Sequence, residues 1–433
     1  MRVKVKSLCC LAVMAAFAGC GGGGGSGDSA PAPAVPSVKK APALCPTSDN
    51  GANYECPAMT GFNGDESDSV STQGNARVER IEFAQLNLKQ PDSQYFVAVA
   101  NREALIRVVV TADAGQSNLK APALKLTLTN QDSGAVVKQI VLQPATSQMV
   151  LPTTGDAVDP ARGNPTVPDF YRSYLYRLQA ADLPAANLQL KAEIDTVASG
   201  IQDTVYVDNA KIVNITPVAV PTLKLVTVPV NVSNTSPTIP PDDRIKDSIM
   251  QFLPISNIEI RRHDAFNIDD TVLGGIEPSK YQYGPSRALS LIDWDQRGNF
   301  SSLPKSDRSN GEIYIGFVKG DVGGYTNQYT NTILASDQMF PGNEPTLAIV
   351  PHEIMHVLKF NHQEICGAVN GSPEYYPYSD FGIGASYGIN LSATSIKLKS
   401  NYKYKSFMGY CYPGYISDYH VDQFVYRMNT TNF

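Results

Sequence analysis

The chain has 433 residues, 42% of them hydrophobic, and carries a formal net charge of −6 at pH 7. This length and composition are enough for two globular domains with buried cores. The acidic balance and the lack of a basic run argue against a nucleic-acid-binding surface, so no nucleic-acid partner is expected. We expect a multidomain monomer.

The first residues have the pattern of a secretion signal, which we assign to residues 1–19. Arg2, Lys4 and Lys6 form a basic head, and an apolar run from Leu8 to Ala18 follows. That run is too short to span a bilayer, which needs about 20 residues. No later segment is long and apolar enough to be a transmembrane helix. The protein is therefore expected to be exported.

Cys20 ends the tetrapeptide Phe-Ala-Gly-Cys, which resembles a bacterial lipoprotein cleavage box with phenylalanine in place of the usual leucine. The resemblance implies that Cys20 becomes the lipidated first residue and anchors the protein to a membrane. Ordinary cleavage and release into the medium is the alternative. Residues 20–75 are rich in Gly, Pro and Ser and are predicted to be a flexible, lipid-anchored linker. The expected location is the bacterial cell envelope, at the outer membrane or cell surface, or the medium.

Residues 76–218 are predicted to form an N-terminal all-β sandwich. Short runs rich in Val, Ile, Leu, Thr and Tyr alternate there with Gly, Pro, Asn and Asp turns, which is typical of that fold. The predicted strands are Ile81–Leu88, Ala104–Ala112, Leu124–Thr129, Val136–Leu142, Tyr171–Leu178, Leu188–Ile194 and Thr204–Val213. The domain has no catalytic constellation. Its role as a scaffold, a substrate-binding domain or a retained inhibitory prodomain stays open.

Residues 219–433 alternate strands with helices, which predicts an α/β (α+β) domain whose helices pack on a largely parallel sheet. The predicted strands are Leu223–Val232, Asn257–Arg262 and Glu312–Val318, and the predicted helices are Pro241–Leu253, Ser286–Gln296 and Asp418–Met428. Ser417 is placed to cap the last helix. The segment between Cys366 and Tyr404 is rich in Gly, Ser, Asn and Tyr and is predicted to form loops.

The most informative residues are His352, Glu353, His356 and His362, which include three of the five histidines in the chain. If residues 348–358 are helical, His352 and His356 stand four apart on one face and can reach one metal ion. Glu353 lies on the neighbouring flank, where its carboxylate can act as general base on a metal-bound water. His362 can return as a third ligand after a sharp turn. Three protein ligands with an open position predict one catalytic Zn²⁺.

These residues resemble the metzincin clan of zinc endopeptidases, whose pattern is H-E-x-x-H-x-x-G-x-x-H followed by a methionine-containing turn. The run Ser406–Cys411 is similar to that turn, with Met408 in the place of the methionine under the metal. Tyr410 matches the tyrosine that astacin-like and serralysin-like members place near the zinc, which implies that it stabilises the oxyanion. By the same resemblance, the strand Gly311–Gly320 is the sheet edge that pairs with extended substrate.

The resemblance implies a zinc endopeptidase that hydrolyses peptide bonds of extracellular proteins or glycoproteins, with Glu353 activating the zinc-bound water. The run Asn101–Ala112 faintly resembles the β-domain of secreted mucin-cleaving zinc proteases of enteric bacteria. Two residues depart from the pattern: Lys359 stands where the family has glycine, and Pro351 lies inside the predicted helix. They motivate the alternative of a surface adhesin or glycoprotein-binding lipoprotein with a decayed protease domain. A zinc hydrolase of non-peptide substrates is a third interpretation.

Four cysteines remain beyond the signal segment and Cys20, namely Cys45, Cys56, Cys366 and Cys411. An even number in an exported chain predicts two disulfides, and three pairings are possible. We favour Cys45 with Cys56 as a local loop, and Cys366 with Cys411 because both flank proposed site elements. A latency thiol at Cys45 or Cys56 is a further alternative.

Overall fold

The computed structural model describes residues 38–39, 47–48, 53–153, 170, 172–232, 235–268, 311–319, 324–327, 331–337, 349–368, 375–384, 387–392, 394–400, 403–411 and 413–431. All of them belong to one compact unit, Ser37–Phe433. The signal segment, Cys20, Cys45 and the predicted helix Ser286–Gln296 lie outside the described residues. The described chain is mostly β-sheet with few helices.

Two antiparallel four-stranded sheets are built from the first half of the chain. Strand β1 (Asn53–Pro57) comes first in the chain but joins a later sheet. The strands of the two sheets are β2 (Gly61–Phe62), β3 (Ala76–Ala84), β4 (Ala104–Ala112), β5 (Ala123–Asn130), β6 (Val136–Leu142), β7 (Tyr174–Leu178), β8 (Leu188–Asp195) and β9 (Ala210–Ile215). The strand orders are β2-β7-β4-β3 and β6-β5-β8-β9. Both sheets contribute to a single hydrophobic cluster, so they pack as two layers, which we call the sandwich.

Burial along the strands explains why these sequences form two packed layers. Alternate residues of β8 are buried, as expected for a strand with one face in a core and one towards solvent. Every residue of β4 is buried, because one face packs in the sandwich core and the other contacts a later hairpin. Arg107 is the one charged residue of β4, and it is buried as well. Its guanidinium donates to the buried Glu82 carboxylate on β3 over 2.7 Å.

Two sequence predictions in this half are wrong. Residues 53–75, assigned to the flexible linker, contain β1, β2 and two further strands of two residues each, and β1 and β2 pair with segments far along the chain. The single strand predicted at Thr204–Val213 is interrupted by a 3-10 turn at Tyr206–Asp208. The Asp203 carboxylate accepts a hydrogen bond from the Val205 N–H over 2.9 Å, and this local turn competes with strand pairing.

The second half of the chain begins with a largely parallel sheet. Its elements are β10 (Leu223–Val232), α1 (Asp242–Met250), β11 (Ile258–Arg262), β12 (Phe266–Ile268), β13 (Glu312–Val318), β14 (Gly324–Asn327), β15 (Thr332–Ser336) and α2 (Ile349–Val357). The strand order is β11-β10-β13-β15-β14, and β12 also pairs with β10. Only β14 pairs antiparallel among these described strands. Helices α1 and α2 share the hydrophobic cluster on one face of the sheet.

The prediction that Gly311–Gly320 is the edge of this sheet is wrong. Strand β13, which lies in that segment, pairs with β10 on one side and β15 on the other. The edge is β14, since it pairs with β15 alone among the described strands. The position of a strand in a sheet depends on which other segments pair with it. The apolar pattern of β13 does not tell which strands become its neighbours, so it could not show that β13 lies inside the sheet.

The last elements are a hairpin and a capped helix: β16 (Tyr387–Leu391), β17 (Ser395–Ser400) and α3 (Asp418–Thr430). The hairpin corrects the loop prediction for residues 366–404. It forms because Ile389 and Leu398 pack on the sandwich and because β1 adds a third strand beside β17. Helix α3 confirms the prediction for Ser417, whose hydroxyl accepts from the His420 N–H over 3.1 Å.

Buried polar contacts join the sandwich to the second half. Arg102, before β4, donates from its guanidinium to the carbonyl oxygens of Met250 at 2.7 Å and Ile255 at 2.8 Å, near the C-terminus of α1. A cation there is favourable because helical carbonyls point towards it. Lys89 forms a buried ion pair with Asp418 at the start of α3. Among the described residues, no helix is both long and apolar enough to cross a membrane.

Candidate metal centre

Helix α2 carries the first two candidate ligands. Val350, Ile354 and Met355 are buried in the main cluster of the second half and anchor the helix on the sheet. Pro351 lies in the first turn of the helix, where a missing N–H costs no intrahelical hydrogen bond. The helix therefore accommodates the proline without a break. The four-residue spacing then places His352 on the same face as the histidine one turn later.

The helix ends in a turn that brings His362 back beside His352 and His356. Lys359 has φ 66°, in the left-handed region where the resemblance to the metzincins expects glycine. Its N–H donates to the His356 carbonyl at 2.9 Å, and the Phe360 N–H donates to the Met355 carbonyl at 3.0 Å. These two bonds are the Schellman motif that ends many helices. Lysine adopts the conformation at a cost of roughly 1 kcal/mol relative to glycine.

The three Nε2 atoms of His352, His356 and His362 form a nearly equilateral triangle. Two sides measure 3.1 Å, from His352 to His356 and to His362, and the third measures 2.9 Å. Imidazole nitrogens that share one tetrahedral zinc at 2.0–2.1 Å lie about 3.3 Å apart. The donor type, number and spacing therefore fit a zinc ion. Within the described part of the chain, this is the one group of three or more His, Cys, Asp or Glu side chains placed to hold a metal.

Backbone carbonyls orient two of the imidazoles. Nδ1 of His352 lies 2.8 Å from the Phe407 carbonyl oxygen, and Nδ1 of His356 lies 2.7 Å from that of Phe360. An Nδ1–H that donates to a carbonyl leaves the Nε2 lone pair free to bind a metal. Burial lowers the pKa of His352 to about 3 and that of His356 to about 4. Both side chains are thus held in the neutral form that metal binding requires.

Glu353 is buried beside this cluster. The Thr326 hydroxyl, on the edge strand β14, donates to Oε2 of Glu353 over 2.6 Å and also lies 3.0 Å from its backbone oxygen. Burial raises the pKa of Glu353 to about 7, while the hydrogen bond from Thr326 acts in the opposite direction. A carboxyl group with a pKa near neutrality can both accept and return a proton.

The segment Ser406–Cys411, predicted to be the methionine turn, lies against the segment that follows the third histidine. Met408 is fully buried, and its carbonyl accepts from the Gln363 N–H over 2.9 Å. The predicted disulfide between Cys366 and Cys411 is present. Tyr410 is 57% exposed, and its ring centroid lies 4.9 Å from that of His362. The turn therefore places a phenol beside one of the three imidazoles.

The structure places Glu353 on the helix that carries two of the imidazoles and Tyr410 beside the third, whereas Cys56 lies on β1, in the sheet of the hairpin. Cys56 is buried and disulfide-bonded, so it is not available as a latency thiol. His420 is buried against Phe360 and Tyr376, outside the metal cluster. Sequence reasoning missed Thr326, because its contact with Glu353 depends on the register of β14 rather than on any local motif.

Searches against protein-family models and against curated proteins returned no match for this chain. The basis for assigning a function is therefore the chemistry and geometry of the site.

Proposed function

We propose that the protein is an exported zinc-dependent endopeptidase of the metzincin type. The observation that carries the proposal is the triangle of Nε2 atoms of His352, His356 and His362, with sides of 2.9–3.1 Å, beside the buried carboxyl of Glu353. Three imidazoles and no fourth protein ligand in the described cluster suit an open, catalytic zinc site. A structural zinc site would use a fourth protein ligand.

The surrounding fold supports peptide as the substrate class. Strand β14 (Gly324–Asn327) is antiparallel to β15 and lies next to the helix that carries the histidines. No other described strand pairs with its second edge. An open edge normally invites aggregation, so an open edge beside a metal centre is best explained as a place where an extended peptide adds as a strand. This arrangement is similar to the α/β substrate-binding half of metzincin catalytic domains.

The residues divide the chemistry of hydrolysis between them. A zinc ion held by the three histidines would supply a water of lowered pKa and polarise the scissile carbonyl. Glu353 takes the proton from the attacking water as the new C–O bond forms. It returns this proton to the amide nitrogen as the C–N bond breaks. The Tyr410 hydroxyl, which belongs to the exposed ring beside His362, donates a hydrogen bond to the oxyanion.

The same proposal includes the cellular location and the substrates. The signal pattern and Cys20 suit a lipid-anchored protein of the bacterial envelope, and release into the medium is the second option. Extracellular proteins or glycoproteins are the substrates that such a location offers. The Schellman turn at Lys359 lessens the case for a decayed protease, since the departure from glycine leaves the third histidine beside the other two.

A cleavage assay tests the proposal. We expect the purified protein to cleave casein or mucin, to lose this activity with a zinc chelator and to regain it when zinc is restored. Binding to mucin without cleavage would contradict the proposal and favour the adhesin. Chelator-sensitive hydrolysis of non-peptide esters alone would favour a different zinc hydrolase.

A further inference from the structure

Strand β14 (Gly324–Asn327) contacts the proposed base as well as offering its edge to a peptide. Residues two apart in a strand face the same side, and here Gly324 and Thr326 both face helix α2. Tyr325 lies between them and packs on the cluster of the opposite sheet face. Gly324 and Thr326 therefore both lie against Glu353, while the backbone edge of the strand stays available for pairing.

We infer that Thr326 is a positioning residue for Glu353, an inference that rests on the proposed peptidase function. The Thr326 hydroxyl donates to Oε2 of Glu353 over 2.6 Å. A carboxylate has two oxygens, so a bond that holds Oε2 leaves Oε1 as the oxygen that takes the proton from water. The bond also fixes the rotation of the carboxyl group, which an unrestrained glutamate side chain would lose. Thr326 itself gains and loses no proton in the reaction.

Gly324 supplies the space that this arrangement needs. A Cβ at Gly324 would lie 2.6 Å from Oε1 of Glu353 and 2.7 Å from Cγ2 of Ile349. Both distances are shorter than van der Waals contact, so any larger residue would push the carboxyl group away. Glycine at this position and threonine two residues later together let the edge strand approach the base closely and hold it. The same strand therefore positions both the peptide that pairs with β14 and the carboxyl group that activates water.

The decisive variant is Thr326→Val, which keeps the shape of the side chain and removes the hydroxyl. We expect kcat to fall about 10- to 100-fold, because a general base that is displaced loses most of its contribution. KM should stay unchanged, since the backbone edge that pairs with peptide is intact. Zinc content should also stay unchanged, since the hydrogen bonds of Thr326 in the described part of the chain go to Glu353 and not to a histidine. Thr326→Ser, which retains a hydroxyl, should recover most of kcat.

Thr227→Val on β10 is the matched control. Thr227 is fully buried in the same sheet, and its hydroxyl has no hydrogen-bond partner in the described part of the chain. This variant should leave kcat, KM and zinc content as in the wild type. Gly324→Ala is a second, independent test that keeps the hydroxyl of Thr326. It should lower kcat with zinc content unchanged, because the new methyl group displaces the Glu353 carboxyl.

Three outcomes would overturn the inference: a Thr326→Val enzyme within about twofold of wild-type kcat, equal losses in the Val and Ser variants, or a loss of zinc that accounts for the lower rate. In each case wild-type cleavage that depends on zinc would leave the proposed function standing. A wild-type protein with bound zinc and no peptidase activity would instead contradict the proposed function, and the role of Thr326 with it.

Discussion

The backbone N–H of Gln363 donates to the carbonyl oxygen of Met408 over 2.9 Å. Gln363 directly follows the third histidine, and Met408 is the centre of the methionine turn. A second backbone bond, from the Tyr410 N–H to the Ile365 carbonyl at 3.4 Å, runs beside the first. The segment after His362 and the turn at Met408 are therefore held together as one unit.

The disulfide between Cys366 and Cys411 closes this unit covalently, and the two residues are 45 apart in sequence. A closed loop of this length stabilises a domain by roughly 4 kcal/mol on the loop-entropy model. We expect the double change to serine to lower the melting temperature and to weaken zinc binding together. Calorimetry and zinc titration measure both effects.

Cys56→Ser is the matched control for the disulfide prediction, because Cys56 is also disulfide-bonded but lies on β1, in the sheet of the hairpin. Its loss should leave zinc affinity unchanged. Equal zinc affinity before and after removal of the Cys366–Cys411 bond would contradict the prediction.

Glu353→Gln should retain about one zinc per chain and lose at least about 100-fold in turnover, since the amide cannot accept the proton. Elemental analysis and initial rates on a peptide substrate measure the two properties. Glu364→Gln, an exposed residue two positions after His362, is the control and should be fully active. A Glu353→Gln variant with more than about a tenth of wild-type rate would exclude this residue as the base.

His362→Ala removes one corner of the nitrogen triangle. Zinc occupancy after dialysis should drop sharply, because two ligands hold the ion far less tightly than three. The control is His263→Ala, whose ring contacts Tyr314 and lies outside the metal cluster. Unchanged zinc content in His362→Ala would show that another group completes the site.

Lys359→Gly tests the turn that returns the third histidine. Glycine adopts φ 66° without the steric cost that lysine carries, although it also loses more chain entropy on folding. The net expectation is a gain of up to about 1 kcal/mol in the free energy of unfolding, with zinc content unchanged. Urea denaturation measures the gain, and a clear loss of stability would show that contacts of the lysine side chain outweigh the strain.

His420 predicts how stability depends on pH. Burial lowers its pKa from 6.5 to about 3, and the charge on Arg427 acts in the same direction. Between these two values the unfolded chain binds a proton at this site and the folded chain does not. Stability should therefore be complete above pH 6.5 and should fall as pH decreases towards 3. One such group contributes a slope of at most about 1.4 kcal/mol per pH unit.

The measurement for His420 is urea unfolding of the zinc-loaded protein at pH 7.5, 6.5 and 5.5. His420→Gln should show a shallower loss of stability on acidification than the wild type. The comparison is between slopes, because protons also compete with zinc for His352 and His356, and this competition contributes in both proteins. Identical slopes would contradict the prediction.

The sequence alone determined the local parts of this protein. The 3.6-residue period of a helix places His352 and His356 on one face, and that relation needs no tertiary information. The alternation of apolar residues predicted β4 and β10 with the bounds that the structure shows. The hydroxyl of Ser417 predicted the start of α3. Each of these features depends on residues within one or two turns of each other.

Tertiary structure decided everything that depends on pairing between distant segments. It placed β13 inside the sheet and β14 at its edge, it recruited β1 from the presumed linker, and it brought Thr326 to Glu353. A strand carries the same apolar pattern at the centre of a sheet or next to its edge, and a threonine has no local signal for a partner 27 residues away. Register and strand order are set by the free energy of the whole packed sheet, so no local window of sequence contains them.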